Sequence, residues 1–149
     1  MEDTTMDLKN GVPVSIHLKT KVKQHHEVQD FSFDLPGQLV TIGDKLYIRY
    51  QEVQENGEKI PVIIKIMPDG TVQLTRSGEM RLRLKFDYKK KLETSYTTPY
   101  GVMYFGTFTR NLHISLKDRP TSGTIFIDYD LYMADERVGE YQISLDFTA

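Results

Sequence analysis

The sequence predicts an all-β protein that folds as a single antiparallel up-and-down meander barrel of about eight to ten strands. Three observations predict it. Apolar and polar residues alternate with a period of two from residue 14 to the end, turn-forming residues interrupt the alternation at short intervals, and no window carries a sustained helical stripe. Strands with one apolar face each must close on themselves or form two packed sheets. A closed or nearly closed barrel is favoured over a sandwich.

The first half of the strand order is predicted at 14–22, 27–42 with a break near Pro36, 45–54, 58–67 and 71–76. One apolar face is visible in each of these runs, for example Val14, Ile16, Leu18 and Val22, or Ile60, Val62, Ile64 and Ile66. Asn56-Gly57 is a strong hairpin signal, because both residues tolerate the positive φ of a type I′ turn. Pro61 fits an unpaired edge or a bulge, so Pro61 and the Pro36-Gly37 break could mark an open seam.

The second half is predicted at 79–88, 91–98, 101–116, 122–133 and 138–147. Its cleanest alternation is in the last two strands, in Ile125, Ile127, Tyr129, Leu131 and Met133, and in Tyr141, Ile143, Leu145 and Phe147. Within 101–116 the expected inward set is Val102, Tyr104, Phe108, Leu112, Ile114 and Leu116. Gly106 and Arg110 also occupy inward slots. A glycine in such a slot marks a bend or a close approach to the backbone.

Length and composition describe one soluble domain. The chain has 149 residues, 39% hydrophobic and 27% charged, which is enough to bury one core. We expect a loose tail at 1–12 and a barrel domain at 13–149. The net charge of −2 gives no overall attraction to nucleic acid or anionic membrane. With no cysteine, no signal peptide pattern and no apolar run long enough for a membrane helix, a soluble cytoplasmic protein is expected.

Arg76 is the charged residue that the alternation points toward the barrel interior or its rim. It shares its parity with Val72 and Leu74, and the parity continues through Met80, Leu82, Leu84 and Phe86. Either one strand bent at Ser77-Gly78 or a three-residue loop preserves this register. A guanidinium there needs a partner, since an unpaired buried charge costs several kcal/mol. Arg76 closes one barrel end, anchors an anionic ligand, or extends to solvent.

Several tyrosines also have inward parity. Tyr96 continues the parity of Leu92, and Tyr104 that of Leu112. Inward tyrosines bring hydroxyls that need partners, so a polar lining of the interior or the mouth is expected from Arg76, Tyr50, Tyr96, Tyr104, Tyr129 and Tyr141. The alternative is a filled core with the hydroxyls at the barrel mouths.

Other groups of polar residues indicate solvated faces. His17, His25 and His26 lack the spacing of a metal site, and no metal or cofactor is expected. Asp128 and Asp130 share an outward face, where solvation is the ordinary state of two carboxylates. No P-loop, GxSxG or HExxH motif is present. We therefore expect no catalytic residues and no enzymatic activity.

A basic stripe on one outward face is formed by Arg81, Arg83 and Lys85 and leads to Lys89-Lys90-Lys91. Such stripes can contact phosphates. A solvated face with a lysine turn that prevents edge pairing is more common, so nucleic acid is not the favoured partner.

Five segments in order, "LYIRYQE", "VQLTRSG", "MRLRLKF", "YTTPYG" and "GTIFIDYDLYM", resemble the YwiB-type family of bacterial proteins. The markers are Tyr50 and Glu52, Arg76 with Gly78, Tyr96, the Thr98-Pro99-Tyr100-Gly101 turn, and Tyr129 with Leu131. The resemblance covers residues 14–147 and implies a calycin-type, lipocalin-like barrel from a Gram-positive low-GC bacterium. It implies no activity and no site residues. Calycins often bind small apolar ligands inside the barrel, an analogy at the level of fold.

Two functions follow as hypotheses. The leading one is a non-enzymatic barrel that binds a small apolar or amphiphilic ligand, such as an anionic amphiphile held by Arg76 and the inward tyrosines. The other is a protein- or RNA-interaction module with a filled core, acting through the basic stripe. The sequence leaves the oligomeric state open.

Overall fold

The computed structural model describes residues 11–78, 81–118, 121–133 and 135–149. In these ranges the chain forms ten strands and no helix. The strands are β1 Val12–Gln24, β2 Glu27–Ile42, β3 Lys45–Val53, β4 Lys59–Ile66, β5 Val72–Ser77, β6 Arg81–Phe86, β7 Lys91–Thr98, β8 Gly101–Asp118, β9 Thr121–Met133 and β10 Glu136–Thr148. Most of the predicted tail lies outside the described residues, and Val12 already belongs to β1.

Each strand pairs antiparallel with the next, and β1 pairs with β10, so the sheet is a closed barrel. The predicted all-β meander barrel is confirmed. In such a meander the connections alternate between the two ends. We call the end that carries the connections after β1, β3, β5, β7 and β9 the upper end, and the other the lower end. The β1–β2 connection is the two-residue turn His25-His26, with positive φ at both residues as a type I′ turn requires.

The barrel interior is a contiguous apolar core. The alternating residues predicted to face inward supply it, with Ile48, Ile64, Val72, Ile125 and Leu145 almost completely buried. Phe86 from β6 is also fully buried and packs against Tyr129, with ring centroids 4.7 Å apart. This apolar core lines the barrel interior.

The open seam suggested by the prolines is wrong. β2 runs unbroken through Pro36, which lies opposite Ser15. Gly37 allows the close passage at this point, because a Cβ there would collide with the Ile16 side chain and lie 2.8 Å from the carbonyl oxygen of Arg49. Pro61 lies beyond the last residue pair of the β4–β5 ladder. Its missing N–H therefore removes no hydrogen bond from that ladder.

The β5–β6 register keeps the predicted parity. Arg76 lies opposite Leu82, and Ser77 opposite Arg81, so the two strands form a hairpin rather than one bent strand. The connection is residues 78–80, of which 79 and 80, including the predicted inward Met80, lie outside the described residues. Arg76 is thereby the last inward residue of β5 at the upper end.

The strands differ in length on the two sides of the barrel. β8, β9, β10, β1 and β2 have 13–18 residues each, whereas β3 to β7 have 6–9. β2 pairs with β1 from residue 27 onward but with β3 only from Gly37. The upper half of β2 therefore extends beyond its neighbour on the β3 side.

Candidate functional site

Arg76 lies at the upper mouth, where Glu52 holds its side chain. Arg76 Nε donates to Glu52 Oε2 at 2.9 Å and to Oε1 at 3.3 Å. The two side chains are 34% and 30% exposed, so the pair lies at the boundary between core and solvent. In the described part of the chain we find no hydrogen bond to either Nη atom of Arg76. Among the described residues, those donors have no protein acceptor.

An open pocket of about 560 Å³ lies against Arg76. Its lining consists of the β3–β4 turn, the end of β5 and one ring of β7, namely Gln54, Glu55, Asn56, Glu58, Ile60, Arg76, Gly78 and Tyr96. Tyr96 faces the core side of β7, as predicted, and packs edge-on against Phe105 with ring centroids 5.7 Å apart. The pocket thus combines one guanidinium, one phenol and the buried Ile60 side chain.

The charges around the pocket are mixed. Glu55 and Glu58 project from the exposed turn, and Glu52 already balances Arg76. Both turn carboxylates are exposed, where water and salt screen their fields. The guanidinium is the group held in a fixed position, so it defines where a polar head group would bind.

The other inward tyrosines lie deeper than the pocket. Tyr50 is 7% exposed, and burial raises its pKa, with Glu52 adding to the rise and Arg76 opposing it. Tyr129 is buried, which raises its pKa, and it stacks on Tyr141 with ring centroids 5.3 Å apart. Gln24 Nε2 donates to the Tyr141 hydroxyl at 2.6 Å. Burial also raises the Tyr141 pKa. With their pKa values raised, these three phenols are neutral near pH 7.

The inward position predicted for Tyr104 is wrong, because its side chain is 60% exposed. A β-bulge shifts the β8–β9 register between Thr109 and Asn111 and exchanges the two faces of β8. Phe105, Thr107 and Thr109 point inward before the bulge, and Leu112 and Ile114 after it. The inward positions expected for Gly106, Phe108 and Arg110 are wrong for the same reason, as is the inward Val102. The residue at the bulge, Arg110, is not a glycine, so no local residue type marked the bulge in the sequence.

The sequence pattern did not identify three threonines that point inward, Thr94, Thr107 and Thr109. Thr107 is fully buried, and its Oγ1 donates to the Lys85 carbonyl at 2.6 Å. Thr94 Oγ1 donates to the Phe105 carbonyl at 3.2 Å. The Oγ1 of the fully buried Thr109 has no hydrogen-bond partner among the described residues. Since a threonine looks like valine in a period-two pattern, only the corrected register reveals these positions.

Asp128 and Asp130 are not solvated as expected, since each is only 8% exposed. Arg110 covers them and donates to both carboxylates, because the bulge turns its side chain to the outer face. Arg137 Nε lies 3.1 Å from Asp130 Oδ1 and its Nη2 lies 2.5 Å from Glu140 Oε1. The cluster binds β8, β9 and β10 together on the outside of the barrel. In the sequence, the only sign of this cluster was that the alternation assigned the charged Arg110 to an inward position.

The lysines at the end of the basic stripe have neighbours on the barrel itself. Lys90 pairs with Asp87 at 3.3 Å, and Lys91 with Asp135 at 3.7 Å. Lys91 Nζ also lies 4.3 Å from the Tyr132 ring centroid. The other members, Arg81, Arg83 and Lys85, lie on the outer face as predicted. Arg83 and Lys85 are half-buried, whereas Arg81 is exposed.

No group of three or more His, Asp and Glu side chains within the described ranges could hold a metal ion. His17 instead pairs with Asp34 at 2.7 Å on the outer face. Likewise, those ranges contain no helix with the length and apolarity of a membrane span.

Comparison with known proteins agrees with this architecture. The family described as "Domain of unknown function (DUF1934)" matches residues 16–145. The "Crystal structure of ywiB protein from Bacillus subtilis" superposes with a TM-score of 0.78 at 21% identity, covering 92% of this chain and 91% of that chain. At this identity the likeness shows the fold. No curated protein matches the sequence. The family match covers most of the barrel, the resemblance to YwiB-type proteins is confirmed, and the chain belongs to the DUF1934 family.

Proposed function

We propose that the protein binds a small amphiphile non-covalently at the upper mouth of the barrel, without catalysing a reaction on it. One observation carries the proposal. Within the described ranges Glu52 holds Arg76 through Nε alone, and Arg76 lines a 560 Å³ pocket. This volume falls within the range of small-molecule sites, about 300–1,000 Å³.

The geometry of Arg76 suits an acceptor head group. A guanidinium offers five donors in a planar fork, so it can bind Glu52 through one edge and a ligand carboxylate or phosphate through another. Because Glu52 supplies one negative charge, the second anion is bound mainly through directed hydrogen bonds rather than through net charge. A head group that also carries a cationic centre would meet the turn residues Glu55 and Glu58 favourably.

The apolar part of the ligand has a surface to follow. Ile60 forms the pocket floor, and Tyr96 presents its ring at the mouth. A short alkyl chain placed along these side chains would remove apolar area from water at about 25 cal/mol per Å². The pocket at the mouth therefore provides the place for this chain.

The absence of catalysis is part of the proposal. A hydrolase would need a serine activated by a histidine, and no serine–histidine hydrogen bond occurs in the ranges that the structure describes. The interaction-module alternative has weaker support, because Lys90 and Lys91 are engaged with Asp87, Asp135 and Tyr132.

Isothermal titration with decanoate and with a zwitterionic alkyl amine oxide tests the proposal. We expect saturable binding of at least one amphiphile by the wild-type protein. Arg76→Met should weaken that binding by at least about tenfold, which corresponds to about 1.4 kcal/mol. Arg81→Met is the matched control, since Arg81 is an exposed arginine on the outer face of the neighbouring strand. Equal affinities of the two variants, or no binding of either amphiphile, would contradict the proposal.

A further inference from the structure

The upper half of β2 is a free sheet edge. Residues 27–36 pair with β1 along their whole length, whereas the β2–β3 ladder begins only at Gly37. Nothing in the described ranges pairs with the other side of these residues. Side chains 27–34 are all exposed. Backbone N–H and C=O groups along such an edge are the template for an added strand.

The two faces of this edge have different chemistry. Phe31 and Phe33 lie on the inner face, opposite Thr20 and Leu18, yet they are 43% and 47% exposed. Asp30 and Asp34 lie on the outer face. The segment 27–36 contains three acidic residues and no lysine or arginine. Edges are often protected by lysines, bulges or prolines; here the charges are all acidic, and the one proline, Pro36, lies at the end of the segment next to the paired residue Gly37.

β1 shows which kind of strand suits β2. On the inner face it places Leu18 beside Phe33. On the outer face it places His17 beside Asp34, with a 2.7 Å contact, and Lys21 beside Asp30. Apolar and basic residues thus alternate along β1. A strand on the free side of β2 would meet the same alternation of aromatic and acidic side chains.

We propose that the upper half of β2 binds an extended polypeptide segment by strand addition, and that the segment alternates apolar with basic residues. Main-chain hydrogen bonds to the edge supply much of the affinity, and the side-chain alternation supplies the specificity. A second copy of this chain joined edge to edge would oppose two acidic segments, so charge disfavours it. The site is separate from the Arg76 pocket.

A synthetic peptide with the β1 sequence VSIHLKTKV, carrying one added tryptophan, probes the edge of the intact protein. The protein has no tryptophan, so the peptide can be excited selectively. Saturable binding is expected. Replacing the histidine and both lysines of the peptide by glutamate should weaken it by at least about tenfold. Equal binding of the basic and acidic peptides would overturn the proposal, as would no binding or binding only through self-association of the protein.

N-methylation distinguishes strand addition from loose apolar contact. In an added strand, alternate N–H groups point to the same neighbour, so methylating one alternate set should abolish binding while methylating the other leaves it within about threefold. Equal effects of the two methylated peptides would contradict the proposal. On the protein side, Asp30→Lys should weaken binding of the basic peptide, with Asp44→Lys in the exposed β2–β3 turn as the matched control. If the two variants bind the peptide equally, the acidic edge is not the site.

Discussion

Arg76 and Glu52 belong to strands that are not neighbours, yet their side chains meet at 2.9 Å across the mouth of the barrel. β4 lies between them, with Ile60 paired to Glu52 and Val62 paired to Arg76. The contact therefore spans one strand on the inner face and fixes the guanidinium through Nε, with no further acceptor for it among the described residues. This arrangement is the basis of the binding site proposed above.

Removing the carboxylate should release Arg76. In Glu52→Gln the guanidinium loses its ionic partner but keeps an amide acceptor, so the free energy of unfolding should fall by no more than about 1 kcal/mol. Decanoate should bind more tightly, because the anion no longer shares the guanidinium with a carboxylate. Urea unfolding and calorimetric titration measure the two effects, with Glu93→Gln, an exposed carboxylate on the outer face of β7, as the control. Weaker decanoate binding by Glu52→Gln would show that the pair itself shapes the site.

The buried phenols should make the fold sensitive to high pH. Burial raises the pKa of Tyr50 and Tyr129 in the folded protein, so the unfolded chain releases these protons first as the pH rises through about 10. Their contribution to stability is complete below that pH and declines above it. Between about pH 9 and about pH 11, Tyr50→Phe/Tyr129→Phe should lose less unfolding free energy than the wild type. Tyr100→Phe, whose ring is 99% exposed, should behave like the wild type.

The outer ionic cluster should be a larger source of stability than an ordinary surface pair. Arg110→Met leaves the mostly buried Asp128 and Asp130 without their main partner, which we expect to cost about 2–3 kcal/mol near neutral pH. Urea unfolding near neutral pH measures this loss, with Arg81→Met as the exposed control. Equal, small losses for both variants would mean that the cluster contributes no more than surface pairs do.

Two buried threonines offer a direct comparison. Thr107→Val removes the 2.6 Å hydrogen bond to the Lys85 carbonyl and should lower stability by about 1 kcal/mol. Thr109→Val removes a buried hydroxyl with no partner in the described ranges, so it should be neutral or stabilising. Thermal unfolding ranks the two variants. The reverse order would contradict the hydrogen-bond assignment in β8.

The period-two pattern was sufficient for the architecture, because a residue's face in a strand depends only on counting from its neighbours. The same counting failed in β8, where one extra residue at Arg110 reverses every assignment before it, including that of Tyr104. The position of the bulge depends on how β8 pairs with β9, so it cannot be read from the residue types of β8 alone. The Arg76 position was predictable by parity. Its partner Glu52 was also within reach, since it shares a face with Ile48 and Tyr50, but pairing across β4 depends on the register of three strands.

The side-chain NMR signal of Arg76 Nε–Hε gives the most direct test of the mouth as a binding site. The proposal predicts that decanoate, or the amine oxide if it binds better, shifts this signal and the Tyr96 ring signals in a saturable way. The Nε–Hε signal of Arg110, on the outer face, should not move. Saturable binding of an amphiphile that leaves Arg76 and Tyr96 unchanged would contradict the account, as would shifts of equal size at Arg110.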